Sequence, residues 1–509
     1  MKKYLLLFLA TGFLFISCKN DDNIFPDEQE EVVEEELKTA ADYPAQNFMY
    51  QVMNIWYFWQ ADVPNLADDK FQGSNDPDYI SFLASESNPS DFFYNDLTFN
   101  HAESVGDAAA SDRFSVAVEN YKDLVNSLQG ISSSNGVEFQ LYGTENDIDI
   151  YGVVTYILPN SDASSKEIMR GDVFNGVDGQ TLTRSNYIDL LFGDNANYTL
   201  NMADFSGESV IGNAKEVALT KIENFSENPI YINKIIEQNG KKIGYLMYNS
   251  FLAAYDDQLN TVFGEFKAEN IDELILDFRY NGGGRVTSAI QMASAVYGTE
   301  TDQLLLRARY NDKIMANSEA ADVEDNFTDT TFDSKTALNT LNLKKVYIIA
   351  TGRTASSSEL VMNGLAPYVD VVHVGELTVG KSEFSNTFVD DPSTGYFYTG
   401  NNDSDINPDN QWGIQPLLGK NENADGFSDY ENGLVPDYEL PEDVENLGVL
   451  GEIDEPLLAL TLSIISGNTA KRSLNPRSFT NSFAHSRIFS LTNNAMVMDG
   501  LLKPLKSEN

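Results

Sequence analysis

Two loops of this chain set small and polar residues directly after apolar strands, a position from which backbone and side chains reach a reacting group. The first is Asp277-Phe278-Arg279-Tyr280-Asn281-Gly282-Gly283-Gly284, after Leu274-Ile275-Leu276. Three glycines before a helix leave backbone N–H groups unshielded, which suits an oxyanion or a phosphate, although a flexible turn would read the same way. A nucleotide site is excluded, because neither the GxxxxGK[ST] spacing nor the GxGxxG fingerprint is present. The second loop, Gly352-Arg353-Thr354-Ala355-Ser356-Ser357-Ser358-Glu359, follows an apolar strand over 346–350 and runs into a helix that begins near Ser357. A serine there aims its hydroxyl, and the next N–H groups, out of the sheet. Ser356 and Glu359 also have capping-box spacing, so the loop by itself reads equally well as a helix cap. Lys381, in Thr378-Val379-Gly380-Lys381, decides between the two. It follows the strand around His373, in a glycine turn within reach of a neighbouring strand end. A lysine deprotonates a serine only if burial lowers its pKa, because the ammonium form has no lone pair. Ser-Lys dyads need no histidine, which suits a chain whose 3 histidines are His101, His373 and His485.

The elements that must position these loops are legible in the apolar pattern. Strands over 243–248, 274–276, 346–350 and 371–374 alternate with helical segments: Leu259, Val262, Phe263 and Phe266 repeat at helical spacing, and 288–297 forms a second helix. This alternation predicts an α/β layer of parallel strand pairs, with chemistry at the strands' carboxyl ends. Upstream, short strands over 136–139, 152–157 and 172–179 are separated by turns, with a hairpin expected at Asp178-Gly179. Further upstream, Met49, Val52, Met53, Trp56 and Tyr57 predict a buried helix face, and segments through Leu128 read as helical and polar-faced. Residues 401–437 read as a long acidic loop rich in Asn and Gly. The length of 509 residues implies about three units at roughly 150 residues each.

The stretch from Gly152 to Gly179 resembles the centre of a PDZ domain: a strand, a loop with Pro159, a short helix with Ile168 and Met169, then GDVFNGVDG. The resemblance implies that Gly136, Val137, Glu138 and Phe139 form a loop whose N–H groups take a peptide's terminal carboxylate, while the peptide adds a strand to the sheet. Any small β-domain with a hairpin is the plainer reading. Taken together, DFRYNGGG, TASSSE and TVGK resemble the signature of the S41 family of C-terminal processing, or tail-specific, peptidases. Ser356 and Lys381 stand 25 residues apart, the interval usual in that family. The resemblance implies Ser356 as nucleophile, Lys381 as general base, the N–H groups of Gly283 and Ser357 as oxyanion hole, and Glu359 as a residue that orients the site. It also implies a ClpP/crotonase-like catalytic core and no cofactor. In one respect the chain departs from the pattern: the family often carries a glutamine four residues after the lysine, where Ser385 stands, and Ser382 replaces a glycine. The third member of a triad is therefore open.

Lys2 and Lys3, then an apolar stretch over 4–16, read as an export signal too short to span a membrane. It ends at Ser17-Cys18, and Cys18 is the sole cysteine, so the junction resembles a lipobox whose cysteine is acylated. Phe15 departs from the usual aliphatic residue there. Lys19-Asn20-Asp21-Asp22 resembles the acidic surface-export signals of Bacteroidetes lipoproteins, which implies an outer-membrane lipoprotein exposed at the cell surface, with the periplasmic face as the alternative. With one cysteine there is no disulfide, CxxC motif or cysteine-bound zinc, and no HExxH occurs, so no metal is expected. The net charge of −45, from 33 basic and 78 acidic residues, disfavours nucleic acid and anionic lipid as partners. Membrane contact is then expected only through the lipid on Cys18.

The expected organisation is a multidomain α+β chain: signal peptide 1–17, acidic tether 18–42, N-terminal helical domain 43–129, PDZ-like domain 130–225, S41 catalytic domain 226–467 and C-terminal extension 468–509. The function expected is a Ser-Lys serine endopeptidase acting on unstructured or C-terminally exposed protein substrates, its oligomeric state open. Two other readings are a catalytically inactive peptide-binding surface lipoprotein of the same fold, and a glycan-binding lipoprotein with exposed Trp56, Trp59 and Trp412.

Overall fold

The computed structural model describes residues 37–106, 110–144, 148–207, 209–298, 300–467 and 482–498. The expected export signal, Cys18 and most of the tether lie outside these residues. Helix α1 (Pro44–Trp56) opens on a proline, whose fixed φ suits the first helical position. Its residues Phe48, Met49, Val52, Met53 and Trp56 are buried, the face that their spacing predicts, in one cluster with Phe251, Leu276 and Leu418. Two expectations fail here. Val116–Val118 is not helical: its alternating valines form a strand antiparallel to Gly413–Gln415. The tryptophans of the glycan reading are not an exposed stripe either, since Trp56 is buried and Trp59 and Trp412 pack against the core.

The β-rich part is an antiparallel sheet with its own apolar core, which includes Val137, Phe139, Leu141, Val154, Phe174 and Leu200. Strands β1 (Val137–Gly143) and β2 (Ile150–Ile157) pair antiparallel, and Val173–Val177 and the long hairpin 197–220 continue the sheet. Asp178 and Gly179 have φ of 51° and 77°, the left-handed pair that a two-residue hairpin with the sheet's twist requires. The short helix is Ala163–Ser165 and does not include Ile168 or Met169; Ile168 instead drops into the core while Met169 stays exposed.

The second sheet positions the chemistry. Strands β3 (Lys241–Tyr248), β4 (Glu273–Asp277), β5 (Lys345–Ala350) and β6 (Asp370–Gly375) run parallel in that order, with Ile230–Gln238 antiparallel at one edge and Tyr438–Glu439 parallel at the other. Leu274, Ile275, Leu276, Val346, Ile348 and Ile349 are all buried, because both faces of a parallel sheet are covered. Helix α2 (Asp256–Ala268) follows β3, α3 (Val286–Tyr297) follows the glycine loop, and α4 (Ser357–Leu365) follows β5. Pairing of Asp277 with Ile349 sets the carboxyl ends of β4 and β5 side by side. The two motif loops therefore leave the sheet as neighbours. The stretch over 401–437 is not one loop: Leu417–Asn423 is a strand paired with Leu304–Tyr310 and with Glu383–Ser385.

The C-terminal extension returns to the β-rich sheet and to a third sheet, the one that holds Leu304–Tyr310, Glu383–Ser385 and Leu417–Asn423. Strand β7 (Ser482–His485) adds antiparallel to β1. Strand β8 (Met496–Val497) lies parallel between Gly284–Arg285 and Glu383–Ser385.

Candidate active site

The glycine loop is held from below by a buried charge network. Arg279 is fully buried and donates to both oxygens of Glu455 (2.6 and 3.0 Å) and to Asp277 Oδ2 (2.7 Å). It also reaches Glu442, to which Arg170 donates at 2.7 Å. The two loops are then laced together. Ala355 N donates to Asn281 O (3.1 Å), Thr354 Oγ1 to Phe278 O (2.8 Å), Ser358 Oγ to Asn281 O (3.1 Å) and Ser357 Oγ to Gly284 O (2.9 Å). Breaking a buried ion network by deleting one partner leaves charges unpaired, so Arg279→Ala is expected to cost about 3–5 kcal/mol in urea unfolding. A loss within 1 kcal/mol of zero would show that the network carries no such role.

Ser356 stands between β5 and α4 with φ 65° and ψ −119°. A non-glycine residue in that conformation costs on the order of 1–3 kcal/mol, and such strain is characteristic of a sharp strand-to-helix turn that projects a nucleophile. The turn survives because it is over-determined. Glu359 Oε2 accepts from Ser356 N (2.7 Å) and Lys381 N (2.9 Å), while Oε1 accepts from Gly380 N (2.7 Å) and the Thr378 hydroxyl. One carboxylate thus ties the Ser356 turn to the Lys381 turn. Burial pushes the Glu359 carboxyl up, and these four bonds oppose it. The Ser356 hydroxyl is buried and has no hydrogen-bond partner among the described residues.

Lys381 is 2% exposed. Burial pulls its ammonium down to about 8, against the attraction of Glu383 and Asp112 and with help from Arg113. Its Nζ lies 4.5 Å from the centre of the Phe114 ring and donates to Asn494 O at 2.6 Å. Arg113 donates to Gly380 O at 2.7 Å, so the N-terminal part of the chain closes over the lysine turn. Ser385, at the family's glutamine position, directs its hydroxyl to Met496 O (3.3 Å), away from the lysine.

Gly283 has φ 107°, and a side chain there would meet Ser356 Cβ at 2.6 Å and Ala495 O at 2.5 Å, so only glycine fits beside the serine. Its N–H, expected in an oxyanion hole, donates instead to Asn281 Oδ1 (2.8 Å), and Gly284 N donates to Ala495 O (2.6 Å). The site brings Ser356, Ser357, Glu359, Lys381 and Gly283 together, while Gly136–Phe139 lie elsewhere, on the β-rich sheet. There the expected carboxylate loop differs: Gly136 N donates to Ser134 Oγ and Val137 N to Asn135 Oδ1, both at 3.0 Å, and Glu138 is ion-paired with Arg487 at 3.0 Å. Val137, Glu138 and Phe139 line a cavity of about 350 Å³ that also borders Leu191, Phe192, Arg487 and Phe489. Sequence reasoning missed Arg113, Phe114, Asn494 and Asn249, whose buried amide has no partner among the described residues. None of the four sits in a motif; Arg113, Phe114 and Asn494 reach the site from distant parts of the chain, and Asn249 stands at the end of β3 beside Gly283.

Comparison with known proteins converges on the same segment. Residues 242–418 match Peptidase family S41, and residues 45–116 match the Peptidase S41 N-terminal domain. A carboxyl-terminal-processing protease of Picosynechococcus sp. is 25% identical over 162 residues, 32% of this chain and 34% of that one. The chloroplastic carboxyl-terminal-processing peptidase 2 of Arabidopsis thaliana is 25% identical over 279 residues, 53% of this chain and 49% of its own length. The chain thus spans from about a third to about half the length of the curated relatives it matches. The solved structure of a protein described as an S41 protease, from Bacteroides fragilis, is 26% identical, with a TM-score of 0.59, covering 83% of this chain and 97% of that one.

Proposed function

From the matches of residues 242–418 to Peptidase family S41 and of residues 45–116 to the Peptidase S41 N-terminal domain, we propose that the chain is a serine endopeptidase of this family in which Lys381 activates Ser356 to cut extended protein segments. Neutral Lys381 takes the proton of Ser356 Oγ as the oxygen attacks the substrate carbonyl. The tetrahedral oxyanion is held by the N–H groups of Ser357 and Gly283, the latter turned from Asn281 when the site is engaged. Lys381 then delivers its proton to the leaving amine, and a water activated in the same way releases the acyl group. Glu359 acts as a positioning residue, through the backbone of both turns. What supports this reading is one observation: a strained, unpartnered serine hydroxyl and a buried lysine whose pKa falls to about 8 sit on turns joined by a single carboxylate. Hydrolysis of an unfolded reporter peptide by the purified chain, absent in Ser356→Ala, tests it.

The core around β3–β6 belongs in this reading to the ClpP/crotonase-like type, the segment 130–225 to a PDZ-like docking element, and the substrates to unstructured or C-terminally exposed proteins. No helix among the described residues is long and apolar enough to cross a membrane. Attachment through a lipid on Cys18, at the outer membrane and facing the cell surface, is part of the proposal. Cys18→Ser is then expected to move the protein from the membrane to the soluble fraction with kcat/KM unchanged, because a thioether-linked lipid is its anchor. Retention of the variant in the membrane fraction would contradict the anchor.

A further inference from the structure

The chain's last described segment, 482–498, touches both places where the proposed function would put a substrate. At the β-rich sheet, β7 adds to β1 with Ser482 opposite Tyr142 and His485 opposite Gln140, and Ser486 N donates to Phe139 O at 2.9 Å. Arg487 then grips Glu138 with two bonds of 3.0 Å and donates to Glu227 (2.7 Å) and Tyr156 (3.0 Å). Phe483 packs on Tyr187 and Phe489 on Phe192, the aromatic wall that faces β1. The paired residues are Gln140 to Tyr142, and beyond them Ser486 and Arg487 occupy Phe139 and Glu138, half of the expected peptide-binding set.

Farther along, the same segment crosses the catalytic turns as a strand. Met496 and Val497 pair with Gly284 and Arg285, Val497 pairs with Ser385, and Met498 N donates to Ser385 O at 2.9 Å. Ala495, Met496 and Val497 are all buried. Strand addition is recognition of backbone, so the same slot accepts any extended chain of fitting side chains. The occupancy is not that of a substrate about to be cut. Lys381 spends a hydrogen on Asn494 O instead of accepting one from Ser356, the Ser356 hydroxyl has no partner, and the Gly283 N–H is turned to Asn281. Base, nucleophile and oxyanion donor are each out of action while the segment is in place.

We infer that residues 482–498 are an internal plug, a pseudosubstrate that fills the docking groove along β1 and the catalytic cleft and must leave before an outside chain can enter. The inference rests on the peptidase reading for its consequence on activity, though not for the occupancy itself. A tethered ligand acts at an effective concentration on the order of millimolar, so an external peptide competes poorly against it.

The test uses the full chain and two unplugged forms. One is Arg487→Glu with Met496→Asp, which sets like charge against Glu138 and Glu227 and a charge in the buried strand slot. The other carries a site for a sequence-specific protease within 468–481, cut after folding, so that the fold is made with the plug present. Folding is checked by circular dichroism. A fluorescent synthetic peptide of residues 482–498 is expected to bind the unplugged forms at least about tenfold more tightly than the intact chain. The unplugged forms are expected to hydrolyse an unfolded reporter peptide at least tenfold faster, and the synthetic peptide to inhibit them competitively. Equal binding to intact and folded unplugged chains would overturn the plug. Serine-dependent trimming between Asn494 and Met496, read by mass spectrometry, would also overturn it, by making the segment a substrate. Tight binding to the unplugged chain alone, with no turnover in any form, would leave the plug standing and remove the peptidase reading.

Discussion

Ser356→Ala is expected to lower kcat/KM on an unfolded reporter peptide by about 10³-fold or more, with an unchanged unfolding midpoint. The loss follows from the role: without Oγ there is no atom to form the acyl bond, and residual turnover comes only from binding and oxyanion stabilisation. Stability is spared for a separate reason. The hydroxyl makes no hydrogen bond among the described residues, so its removal orphans no buried group. The bonds that hold the turn, from Ser356 N to Glu359 and from Ala355 N to Asn281, belong to the backbone and persist in alanine. The comparison is made in the unplugged background as well, where a low basal rate cannot mask the loss. A folded alanine variant with wild-type turnover would mean that a different group attacks.

Lys381→Arg and Lys381→Ala are expected to be equally inactive, each down by about 10³-fold or more. Guanidinium keeps its proton at any working pH and cannot serve as base. The wild-type rate is expected to rise with pH through an apparent pKa near 8 and then level off. Only the neutral amine accepts the serine proton, and burial brings deprotonation down to that range from the ordinary 10.5 of lysine. A purely structural lysine would pair with a carboxylate and tolerate arginine. The geometry leaves Glu359 no such part, since its oxygens are taken by the N–H groups of Ser356, Gly380 and Lys381 and by the Thr378 hydroxyl.

The turns that carry the proposed nucleophile, base and oxyanion donor were legible because their signals are local. Gly282-Gly283-Gly284 and Thr354 to Glu359 each follow an apolar run long enough to be read as a buried strand, and parallel neighbours bring such loops to one end of a sheet. The short strands over 152–157 and 173–177, and the Asp178-Gly179 turn that pairs Val177 with Gln180, were legible for the same reason. What escaped lies far apart in sequence. Met496–Val497 is a strand of two residues with no periodicity to detect, and its partners Gly284 and Ser385 are more than a hundred residues upstream. Arg113 and Phe114 carry no motif, and only the packing of the N-terminal part over Gly380 gives them a place beside Lys381. Glu138, read as part of an open loop, is a buried carboxylate because Arg487 arrives from the far end of the chain.

The activation of Ser356 by Lys381 is tested most directly by labelling the unplugged chain with a fluorophosphonate across pH 6 to 10 and mapping the adduct by mass spectrometry. One adduct is expected, on Ser356, with a rate of formation that rises through a pKa near 8 and is lost in both Lys381→Ala and Lys381→Arg. An adduct on another residue, or labelling of Ser356 in the arginine variant at the wild-type rate, would contradict it.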